Sequence, residues 1–110
     1  MSKPNNEKLV EAANGSEPML ARNATLVPGV CVLIKTVTDY YVGRILSVNS
    51  AEILLTEAAW VPDTGRLSEC LLRGSSVFVE IEMIPAWVVI NRAAVTAIIA
   101  WMHPLPTETR

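Results

Sequence analysis

The pattern of apolar and polar positions changes sharply near residue 26. Before it, residues 1–25 are polar, poor in aromatics and interrupted by Pro4, Asn14-Gly15 and Pro18. That texture predicts a flexible N-terminal tail, with room for a short helix at 7–13 or 19–23. After it come short apolar runs rich in β-branched residues. Val27-Pro28-Gly29 is a turn, residues 30–37 form the first run, and Thr38-Asp39 ends it. Residues 41–48 follow, closed by Asn49-Ser50, and 53–56 make a third run. Runs this short and this β-branched predict strands, and the tight turns between them predict a meander. Gly43 inside the second strand predicts a sharp bend or a close backbone approach.

The middle of the chain is different. Residues 58–62, which include Trp60, read as a connector. Asp63 or Thr64 then offers an N-cap, Leu67, Leu71 and Leu72 fall at helical spacing, and Arg73-Gly74 is a stop. This predicts a helix of about two turns inside an insert spanning 58–75. Val77, Val79, Ile81 and Met83 alternate with Phe78, Glu80, Glu82 and Ile84, predicting a strand that Pro85 breaks. Two further apolar runs, 87–90 and 95–101, flank the polar step Asn91-Arg92-Ala93-Ala94. His103-Pro104-Leu105-Pro106 opens a short polar end.

A chain of 110 residues has room for one domain with a core of useful size. Hydrophobic residues make up 51% against 18% charged. Surplus apolar side chains on so small a domain must lie on its surface or meet a partner, and a second copy is the simplest partner. The net charge is −2, and the five basic and seven acidic side chains between residues 27 and 106 leave the same −2. Any nucleic-acid site would therefore be a local cluster of cations. Residues 83–102 approach the length of a membrane span, but Arg92 stands at the centre beside Asn91, and Pro85 near the start. A central Arg costs about 2.5–3.5 kcal/mol on the insertion scale, against about 0.3–0.6 returned by each Ile or Val. Two strands around a polar turn account for the segment better than a span. Cys31 and Cys70 show no metal-ligand or redox spacing, and the N-terminus lacks the apolar stretch of a signal peptide. Both features predict a cytoplasmic protein with reduced thiols.

Residues 43–55, from Gly43-Arg44-Ile45 to Ile53-Leu54-Leu55, resemble the first motif of the Sm/Lsm-like family, in particular its bacterial Hfq-like branch. Residues 91–99, from Asn91-Arg92-Ala93-Ala94 to Ile98-Ile99, look like the second motif. Barrels carried by phages and mobile elements have a similar layout with a longer insert between the motifs. The resemblance implies a mainly β fold, an SH3-type small barrel of about five strands. A short helical insert would lie between strands 3 and 4, with the domain over 26–103 and a C-terminal tail over 104–110. It also implies a homo-oligomeric ring and binding of RNA or single-stranded DNA. Yet the aromatic after the hairpin turn that stacks on a base is replaced by Ala51, and the family's Lys-His pair by Arg92-Ala93. Glu52 or Ile53 stands where the eukaryotic pattern has its base-reading Asn.

Chemistry-bearing residues are sparse. His103 is the single histidine, and no metal-binding, phosphate-loop or nucleophile–base spacing occurs. Alternating Glu80 and Glu82 read as a solvated strand face. No enzyme, metal or cofactor is expected. The candidate binding residues are Arg44 and Arg92 within the two motifs, Tyr40 and Tyr41 at the first hairpin, and Trp60 before Pro62. Trp87 and Trp101 read as core or subunit-interface residues. The expected function is a non-enzymatic, self-assembling Sm-like binding or scaffold module, with weak binding of RNA or single-stranded DNA as its expected ligand activity. The alternatives are an accessory barrel that binds protein or a small ligand, and a structural assembly protein.

Overall fold

A computed structural model describes residues 26–110, and these are mainly β, with six antiparallel strands in one sheet and one short helix. The strands are β1 (Cys31–Thr36), β2 (Tyr40–Val48), β3 (Glu52–Asp63), β4 (Glu80–Met83), β5 (Val88–Asn91) and β6 (Val95–Ala100). Helix α1 (Leu67–Arg73) lies between β3 and β4, where a helix of two turns was predicted. The expected tail at 1–25 lies outside the described residues.

Strand order is β4-β3-β2-β1-β6, with β5 also paired to β3. β3 is the hub of this sheet. Its first half, 52–55, pairs with β5, and its second half, from Ala59 to Asp63, pairs with β4. The sequence suggested two pieces, a short strand at 53–56 and a connector at 58–62. They form one strand because Ala58 and Ala59 are fully buried and Tyr40–Val42 of β2 continue the ladder opposite 59–61. Pro62, which has no N–H to give, sits where the β3–β4 register slips between Trp60 and Asp63. β5 and β6 do not pair with each other, so the sheet is not closed into a barrel.

The strand expected at 77–84 is shorter than its alternation suggested. Ser75–Val77 form a 3₁₀ turn, and pairing starts at Glu80. Phe78 and Ile81 are buried while Val79 is exposed, so the turn shifts the buried positions away from strict alternation. The helix also starts differently. Arg66 occupies the N-cap without a side-chain bond, and Asp63 instead accepts the Gly65 N–H at 2.9 Å. Gly74, at φ 94°, ends the helix by donating its N–H to Cys70.

The sheet buries apolar side chains on both faces. Leu33, Val42, Ala59 and Val61 meet Cys70 of α1, Phe78, Ile81 and Trp101 on one side. Val32, Ile34, Ile45, Ile53, Leu55, Ala58 and Ile90 form the second cluster. The segment after β6, expected as a polar tail, is docked along β4. Arg110 and Ile81 exchange both backbone hydrogen bonds, at 2.7 and 2.8 Å. Thr109 Oγ1 accepts from Met83 N–H, and the Arg110 guanidinium donates to the Ser75 and Phe78 carbonyls. Pro106 is buried, Leu105 packs on the first cluster, and Trp101 donates its indole N–H to Pro104.

Candidate functional site

β2 and β3 do not run past each other evenly. Val42 faces Ala59 and Arg44 faces Thr56, so Gly43 alone stands opposite Glu57 and Ala58. This is a β-bulge, and Glu57 takes the extra residue at φ 50°. Gly43 is required there. A Cβ on it would lie 3.0 Å from the Ala58 Cβ and 3.2 Å from the Thr56 carbonyl oxygen. The bulge turns the Glu57 carboxylate onto Arg44, whose Nε donates to it at 2.6 Å, while Nη1 donates to the Gly29 carbonyl at 3.2 Å. The Glu57 hydrogen bond raises the Arg44 pKa above its ordinary value.

The same kink opens a groove. Here β3 leaves β5 and has not yet met β4, and the 84–87 connection arches over the gap. Thr56, Glu57, Ile84, Pro85, Ala86 and Trp87 line a groove of about 490 Å³. Trp87 is 69% exposed on its rim, whereas Trp101, 4% exposed, stacks against Phe78 at 5.4 Å. The sequence read both tryptophans alike. The readable difference is that Trp87 follows the Pro85 break, ahead of the first paired residue. Nothing in the sequence marks Glu57.

The five residues singled out from the sequence do not converge on one site. Arg44 belongs to the bulge. Arg92 opens the 3₁₀ turn before β6 and donates Nη1 to Asn49 at 2.8 Å, bracing the β2–β3 turn. Tyr40 and Tyr41 pack on opposite clusters, with the Lys35 ammonium 5.7 Å above the Tyr40 ring. Tyr41 stands opposite Trp60 across the β2–β3 pair, and Trp60 donates its indole N–H to Asp39 at 2.9 Å. Hydrogen bonds from Thr38 and then Trp60 hold the Asp39 carboxyl below its usual pKa. Burial pushes the Cys70 thiol up. Among the described residues, no three His, Cys, Asp or Glu side chains gather as a metal site, and no helix is long and apolar enough to cross a membrane.

Two strand edges complete the picture. β5 pairs only with β3 and β6 only with β1, so each has one edge without a partner among the described residues. Neither strand carries a charge or a proline. No family model, no curated protein and no solved structure matches the chain.

Proposed function

We propose that this protein is a non-enzymatic Sm-like domain, its bent sheet left open as one copy, that assembles with copies of itself and acts as a binding or scaffold module. The layout supports the Sm-like reading: residues 43–55 span β2, its turn and β3, and residues 91–99 span the 3₁₀ turn and β6. The observation that carries the assembly is the contrast between strand edges. β4 is guarded, with Glu80 and Glu82 along it and Thr109–Arg110 bonded to its outer side. Among the described residues β5 and β6 have no such guard, and an uncharged, unpaired edge is a template for another strand. One copy offers β5 and the next offers β6, a head-to-tail contact that closes into a ring when the rotation allows.

Nucleic acid suits this surface less well than protein. Arg44 is committed to Glu57 and Gly29, and Arg92 to Asn49. Multi-angle light scattering on the full chain at micromolar concentration tests the proposal. A mass of two or more whole multiples of 12.0 kDa is expected. A single 12.0 kDa species would overturn it.

A further inference from the structure

The two unguarded edges constrain how they can meet. Arg92 N–H donates to Ala51, so in the alternating antiparallel ladder Val88 and Ile90 bond inward to β3. Val89 and Asn91 therefore direct their backbone groups to the free edge. On β6, Trp101 N–H donates to Cys31, which places Ile99 inward and leaves Ile98 and Ala100 facing outward. An antiparallel pair matches outward residues with outward residues. Setting Val89 against Ala100 of the next copy, and Asn91 against Ile98, pairs β5 with residues 98–101 and sets Trp87 directly opposite Met102.

That register brings together two side chains left bare on the single copy. Trp87 directly precedes β5 and is 69% exposed, and Met102 lies two residues beyond β6 at 83%. Val89 is 56% exposed, and Ala100 is exposed as well. The strands contain no like charges to oppose one another. The geometry points to Met102 of a second copy as the occupant of the Trp87 groove, seated between the indole and Ile84-Pro85-Ala86. This rests on the head-to-tail assembly proposed above. A thioether against an indole is a favourable contact and fills an irregular apolar gap. The groove is then half of a site that the neighbouring copy completes.

Two measurements decide it. Met102→Glu places a charge in the seat while changing only an exposed side chain, and is expected to reduce the wild-type oligomer to monomers at the same concentration. Val37→Glu, at a position 70% exposed in the β1–β2 turn and outside the 98–102 stretch, should leave the oligomer intact. Matching circular dichroism spectra for both variants establish that each is folded. For the register, Val89→Cys and Ala100→Cys are co-expressed as separate chains in a Cys31→Ser background. Hydrogen-bonded partners lie about 5.5 Å apart at Cα, within disulfide reach. A disulfide joining the two variant chains is expected, and none within either variant alone. If the wild type is oligomeric and either Met102→Glu leaves it so or the disulfide does not form, the Met102 seat in this register is overturned while self-assembly stands. A monomeric wild type overturns both.

Discussion

At the scale of single residues, Glu57 carries an unusual conformation for a side chain with a Cβ. A left-handed backbone costs a residue other than glycine about 1–2 kcal/mol. Here the bulge and the bond to Arg44 hold it in place. The two contributions separate by substitution. Glu57→Ala keeps the strain and loses the bond, so its melting temperature should fall. Glu57→Gly loses the same bond but relieves the strain, so it should melt above Glu57→Ala by several degrees, as about 1 kcal/mol implies in a domain of this length. Thermal denaturation of the pair checks this. Equal melting temperatures would mean that the backbone at 57 is not strained.

At the scale of elements, the segment after β6 works as a strap. It satisfies the outer N–H groups of Ile81 and Met83, and the Arg110 guanidinium takes up the carbonyls of the 3₁₀ turn before β4. Removing residues 107–110 should bare β4 and speed amide hydrogen exchange at Ile81 and Met83, with little change in β1 or β2. Exchange mass spectrometry reads this directly. Unchanged protection in β4 would show the strap to be dispensable.

What could be read in the sequence divides along the same line. β1, β2, β6 and the two-turn helix follow from β-branched runs and leucine spacing, because those elements bury a regular face. β3 was not legible beyond Thr56. Ala58, Ala59 and Pro62 have poor strand propensity, and they are held by burial and by pairing with β2 instead. The strap was invisible for a related reason. Its bonds run largely through backbone groups and one arginine, which leave no periodicity. At the site, Arg44 and Trp60 were identified as residues but not in their roles, since those depend on Glu57 and Asp39, distant in sequence. Trp87 and Trp101 sit in similar apolar runs, but Trp101 is buried against Phe78 while Trp87, just after the Pro85 break, is left bare.

At the scale of the whole molecule, charge weighs against nucleic acid. The chain is net −2, and both motif arginines already donate to groups within the fold. Phosphate contacts would have to come from cations repeated around an assembly, and such binding depends steeply on salt. Fluorescence anisotropy with short single-stranded RNA in about 50 mM salt, where phosphate contacts are strongest, is expected to show no saturable binding at tens of micromolar protein. Saturable binding that Arg92→Glu abolishes while the oligomer persists would restore the nucleic-acid reading.

The pairing of β1 with β6 also orders events during synthesis. Val32 is made early and its partner Ala100 late, so the β2–β3 hairpin can form long before β1 has a neighbour on its other side. Non-local pairing of this kind is slow, because the intervening chain must be ordered first. A nascent chain that has reached β5 therefore still displays the apolar edge of Cys31–Thr36 to anything passing. Until translation carries β6 clear of the ribosome, no other described strand covers that edge, and such bare edges are where nascent chains aggregate.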